Sequence, residues 1–121
     1  MPLLMFKNNA MLEKKIDLGH KLAECVQYCN YCLNSCLEEQ DVKMMVNCIR
    51  LDRDCALICS TTLQLVYKQG HFSKDILELC VKACKACAAE CKKHNNEHCR
   101  MCAEKCEECA KTCHEFLGMI K

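Results

Sequence analysis

From residue 18 to residue 119 the chain repeats one pattern: small or apolar residues three, four or seven positions apart, with Lys, Glu, Asp, Gln and Asn in the gaps. That spacing puts the apolar positions on a single stripe of an α-helix, at the a and d places of a heptad; a strand would alternate every second residue. The stripe is interrupted three times, which predicts four long helices. Asp17 is placed to N-cap the first, over about 18–38, and Asp41 the second, over about 42–68. Gly70 ends the second, Ser73 is placed to cap a third that runs to about Lys93, and Asn95 and Asn96 break the pattern before a fourth that ends near Gly118. Connections of only a few residues make sequential helices antiparallel. The expected fold is therefore all-α, an antiparallel up-down four-helix bundle over residues 18–121. Residues 1–17, with Pro2 and then Met5, Phe6, Met11 and Leu12, are expected to form a separate N-terminal segment, a short helix laid on the bundle.

The residue that fills the stripe is cysteine. The first group is Cys25, Cys29, Cys32 and Cys36, and the second is Cys48, Cys55 and Cys59. The third is Cys80, Cys84, Cys87 and Cys91, and the fourth is Cys99, Cys102, Cys106, Cys109 and Cys113. One cysteine in a core is simply a small apolar residue. Sixteen at nearly every inward position are not, because Leu or Ile would fill that space better. A disulfide scaffold fits no better: such domains are loop-rich, whereas this chain has three Gly and one Pro among abundant helix formers. Cysteines at i and i+4 in mid-helix also stand side by side, where closing a bridge strains helix and dihedral together. The remaining role is soft-metal ligation in a reducing compartment.

Charge narrows the partners. Seventeen basic against sixteen acidic residues give a formal net charge of +1, so neither nucleic acid nor a membrane surface is indicated. The apolar runs are too short to span a bilayer. Met1 to Phe6, followed by Lys7, lacks the basic region and length of a secretory signal, which predicts a cytoplasmic location.

Seven CxxxC pairs tile the chain, at 25/29, 32/36, 55/59, 80/84, 87/91, 102/106 and 109/113. Each sets two sulfurs on one helical face, Cβ atoms roughly 5–6 Å apart. Two- and three-fold thiolate coordination of this kind suits copper(I). Zinc prefers four tetrahedral ligands, and the loop motif of iron–sulfur proteins, ending in Cys-Pro, is absent. Four Zn²⁺ among sixteen thiolates would leave about eight uncompensated charges in a helical core. Many Cu⁺ ions, each thiolate bridging two, neutralise the same core, and the metal-free thiols stay neutral. A zinc-storing thiolate protein is the nearest alternative. A thiol redox protein is the other, with Cys99 of Cys99-Arg100-Met101-Cys102 as its one candidate.

Repeated CxxxC motifs on all four helices resemble the copper storage proteins, a bacterial family of cysteine-lined four-helix bundles, over about residues 18–119. The resemblance implies copper(I) storage within the bundle and a homotetramer of bundles. The lack of a secretory leader at Met1–Lys7 is expected to place the chain in the cytosolic branch of that family; no catalytic residues are expected, and a copper chaperone or copper enzyme is the expected exchange partner. The second helix departs from the rhythm: Asp52 stands at the expected stripe position between Cys48 and Cys55, a candidate oxygen ligand.

The stripes end unlike one another. Past the cysteines at one end come Leu18, Leu22, Leu63, Val66, Ile76, Leu77, Phe116, Leu117 and Ile120, an apolar plug. At the other end lie Met44, Met45, His94, His98 and Met101, beside Cys48 and Cys99, the two cysteines outside a CxxxC pair. Thioether and imidazole bind copper(I) at lower charge, so these five are candidate ligands at a mouth through which ions pass. His20, His71 and His114 fall toward the plug, and Tyr28 and Tyr31 flank the first stripe; all five read as packing or surface residues.

Overall fold

A computed structural model describes residues 3–68 and 70–120, with side chains from residue 10 onward. Its elements are α1 (Leu3–Leu37), a 3₁₀ turn (Val42–Met45), α2 (Val46–Lys68), α3 (Ser73–Cys91) and α4 (Glu97–Met119). Each helix packs against its neighbours in the chain, and α4 closes onto α1 to complete the ring. This is the expected up-down bundle, with the cysteine stripes turned to the axis.

Residues 3–17 form the first turns of α1 rather than a separate helix. The segment has no Gly or Pro after residue 2 and is rich in Leu, Met, Glu and Lys, so nothing stops helix propagation. Asp17 consequently stands exposed in mid-helix instead of at an N-cap. The second helix opens differently too: residues 42–45 wind as 3₁₀, with the Met44 amide donating to the Asp41 carbonyl at 3.0 Å, and α2 proper starts at Val46. The tighter turn carries Met45 into the core while Met44 remains outside. Asp41 and Asn96 flank their helices without side-chain capping bonds. Phe72, not Ser73, occupies the cap position of α3, and the Ser73 hydroxyl donates instead to the Leu65 carbonyl at 3.3 Å, tying α3 to the end of α2.

The plug is present as expected. Leu18, Leu22 and Leu77 are fully buried, with Val66 and Phe116 nearly so. Leu63, Leu117 and Ile120 pack against them half-buried, and Ile76 is half-buried as well. Burying each large apolar side chain contributes roughly 1.5–3 kcal/mol. Thr62 joins this layer, its hydroxyl bonded to the Ile58 carbonyl at 2.7 Å. The α1–α4 seam is laced outside by Lys21–Glu108 (3.0 Å) and Lys105–Glu24 (3.4 Å), with Lys105 over the Tyr28 ring.

Gly19 marks a close approach in the same region. A Cβ there would collide with the Tyr67 hydroxyl, which donates to the Lys15 carbonyl at 3.0 Å and so holds α2 against α1. Gly in a helix interior costs about 1 kcal/mol relative to Ala, so the bare position is kept against helix propensity. Gly19→Ala should therefore be neutral or destabilising in the native background and stabilising by up to about 1 kcal/mol beside Tyr67→Phe. Urea unfolding of the four proteins measures that coupling, and equal effects in both backgrounds would refute it.

Candidate metal centre

All sixteen cysteines are fully buried and reduced. Heptad spacing delivers one or two sulfurs per turn from each helix, and four helices around one axis bring them into a continuous column. Neighbouring Sγ atoms lie 3.6–4.0 Å apart across helices: Cys48 to Cys91 and Cys59 to Cys84 at 3.6 Å, Cys29 to Cys106 and Cys55 to Cys84 at 3.7 Å, Cys25 to Cys55 at 4.0 Å. Cys55–Cys59 and Cys102–Cys106 also touch along their own helices at 3.9 Å. The CxxxC pairs are thus not isolated nuclei. Each is one side of a cross-helix cluster.

These clusters share members. Cys25, Cys55, Cys59 and Cys84 have ligand atoms within 4.8 Å of one another, and so do Cys25, Cys29, Cys55 and Cys106. Cys29 and Cys106 recur with Cys87 and Cys102, while Cys59 and Cys84 recur with Cys80 and Cys109. Filling one such group with a four-coordinate dication withdraws ligands from the next. A monovalent ion bridged by thiolates uses the shared members directly, so the arrangement favours copper(I) over discrete zinc sites. Cys113 closes the column against the plug, 3.8 Å from Cys80.

Asp52 lies inside the column at the position its place in the stripe predicts, and is fully buried. Its Oδ1 accepts thiol hydrogen bonds from Cys87 (3.2 Å), Cys102 (3.4 Å) and Cys91 (3.8 Å), and its Oδ2 one from Cys48 (3.7 Å). Burial, then the nearby Cys102 and Cys48 sulfurs, push its carboxyl up to about 9. The same cause acts on two thiols toward the His98 end: burial first, then Cys48, pushes Cys99 up to about 12, and burial raises Cys36 as well. A reactive redox thiol needs the opposite shift and an exposed sulfur. Cys99 offers neither.

The five candidate mouth residues separate in space. His98 is the one that reaches the thiols: its Nδ1 lies 3.4 Å from Cys32 Sγ and 3.6 Å from Cys99 Sγ, and it groups with Cys32, Cys36 and Cys99 within 4.8 Å. His94 and Met44 line a recess of about 400 Å³ outside this group, with Met45 at its inner wall. Met101 does not line that recess; it faces a flank formed by Gln27, Tyr28 and Tyr31. Two residues beyond Cys99 turn a helical side chain about 200° away from the axis, which accounts for the difference. Glu39 and Glu90 escaped the sequence reading. They pair with His98 Nε2 and His94 Nε2, each at 3.0 Å, and nothing in helical periodicity marks a residue in the connection after α1.

Fold and site together define a thiol-lined container suited to soft monovalent metal, with a buried apolar layer at one end and His98 against the thiols at the other. Residues 11–118 match the family model for Copper storage protein, and the chain belongs to that family. Among solved structures it is similar to apo-Csp3 from Bacillus subtilis, at 39% identity and TM-score 0.78, covering 84% of this chain and 96% of that one. It is similar also to the copper storage protein Ccsp of Streptomyces lividans loaded with 10 copper equivalents, at 34% identity and TM-score 0.85, covering 88% of this chain and 85% of the other. A cysteine-rich protein of Bacillus subtilis, YhjQ, is 42% identical over 79 residues, 65% of this chain and 73% of its own length. Among the described residues no helix is long and apolar enough to cross a membrane.

Proposed function

We propose that this chain stores and buffers copper(I) in the cytoplasm, binding many ions through the thiolates of all sixteen cysteines. The observation that carries the reading is the sharing of sulfurs between adjacent buried groups, which suits bridged Cu⁺ and wastes ligands on Zn²⁺. Each ion bound displaces a thiol proton, so the column exchanges neutral S–H for neutral thiolate–Cu⁺ without leaving net charge in the core. Asp52 serves as an oxygen ligand or hydrogen-bond acceptor where the thiol ladder is interrupted. His98 is the inner ligand of the mouth, with His94, Met44 and Met45 lining its approach; Met101, on the flank, takes no part. Exchange with a copper chaperone or copper enzyme takes place at that end. Exposed Tyr31 and Leu57 offer apolar surface for assembly into the homotetramer that the family resemblance implies.

Anaerobic titration with copper(I) against a competing chromophoric chelator should give far more than four ions per chain, approaching one per cysteine. The loaded protein should have a tetramer's mass by light scattering. Saturation at four ions or fewer, or an equal preference for zinc, would transfer the assignment to a zinc store.

A further inference from the structure

We propose that Glu39 is a positioning residue that fixes the orientation and tautomer of His98, so that the imidazole lone pair on Nδ1 is always presented to the Cys32–Cys99 pair. The inference rests on the reading of that end as the copper mouth and adds a residue to it. Glu39 Oε1 is 3.0 Å from His98 Nε2, and a carboxylate can only accept, so in the neutral ring the proton of this bond sits on Nε2. The other nitrogen is then unprotonated, and it faces Cys32 Sγ at 3.4 Å and Cys99 Sγ at 3.6 Å. A metal-binding histidine held by a carboxylate through its second nitrogen is a recurrent way to fix ring direction and raise ligand basicity.

The backbone places both partners. After α1 the chain tightens, with the Glu39 amide donating to the Cys36 carbonyl at 3.2 Å, so one turn carries Cys36 inward and Glu39 over the rim. The first turn of α4 supplies His98 and Cys99 from the facing side. The His98 side chain is 11% exposed, against 35% for Glu39, so the carboxylate stands on the solvent side of the ring it holds. His94 shows the contrast. It is paired with Glu90 at 3.0 Å, and Lys93 shares that carboxylate at 3.4 Å, yet among the described residues it contacts no thiol. Of these two pairs, Glu39–His98 is the one whose imidazole meets the sulfur column.

The test compares Glu39→Leu, Glu39→Gln and His98→Ala with the native protein. Nitrogen-15 NMR of the metal-free proteins should show His98 as a single Nε2–H tautomer in the native chain, and a mixture in Glu39→Leu. Copper(I) uptake from a chelator should slow about 10–100-fold in Glu39→Leu, the usual cost of losing an outer partner of a metal-binding histidine. Glu39→Gln, whose amide oxygen still accepts from Nε2–H, should restore the tautomer and most of the rate. A pure Nε2–H tautomer and native uptake in Glu39→Leu would overturn the role of Glu39 alone, provided His98→Ala is slow. Native uptake in His98→Ala would overturn the mouth assignment and this inference together.

Discussion

Replacing His98, His94 and Met44 together by Ala should slow copper(I) uptake on the order of tenfold or more while total capacity falls only by the few ions held at the rim. The magnitude follows from removing a direct ligand, which should cost no less than removing an outer partner. Every stripe cysteine survives in this variant, so the column itself is unchanged. The opposite end makes the control. Phe116 is almost fully buried and Leu63 packs half-buried against the core, so Phe116→Ala with Leu63→Ala should cost several kcal/mol of stability. That variant should still exchange copper at the native rate, because the fully buried Leu18, Leu22 and Leu77 remain in the apolar layer. Stopped-flow exchange with a high-affinity chelator reads both. A plug variant with altered exchange beside a rim variant with native exchange would reverse the bundle's polarity. Adding Met101→Ala to the rim variant should change nothing further, since that thioether faces Gln27, Tyr28 and Tyr31 on the flank.

The core was legible from the sequence because it is written in one residue type at one period. Sixteen cysteines at steps of three, four and seven leave a single face for each helix, and the structure buries all of them. Asp52 was legible for the same reason, since it occupies a place that the stripe requires. Helix starts were less so. A lone Asp reads equally well as a cap or as an exposed mid-helix residue, and at Asp17 continuous helix formers upstream decided for the second. The proposed mouth was half legible. Histidines and methionines could be assigned to an end, but which of them turn inward depends on about 100° per residue and on the 3₁₀ turn that precedes α2. Glu39 lies in a connection with no period at all, and its role emerges only when α4 brings His98 within 3.0 Å.

The metal-free protein should lose stability steadily from pH 5 to pH 8, and Asp52→Asn should remove most of that slope. Asp52 is an acid whose folded-state value is raised to about 9 from an ordinary 3.8, so folding favours its protonated form. Between those values the unfolded chain has released this proton and the folded chain has kept it. Stability from this group is therefore fully present below about pH 4 and is lost as pH rises toward 9. One retained proton corresponds to about 1.4 kcal/mol per pH unit, or about 4 kcal/mol across three units. The groups facing the carboxyl are the thiols of Cys48 on its own helix, Cys32 on α1, Cys87 and Cys91 on α3, and Cys102 on α4, and no cation is among them to reverse the sign. Asn keeps the shape, with its amide oxygen accepting from Cys87, Cys102 and Cys91 as Oδ1 does and its NH2 turned to the Cys48 sulfur, and it has no proton to lose. Every other residue is common to both proteins, so the difference between their unfolding free energies isolates Asp52. Equal slopes in chemical denaturation at pH 5, 6.5 and 8 would mean that this carboxyl is already ionised inside the empty column. Copper(I) loading would then have to neutralise a standing charge rather than replace protons one for one.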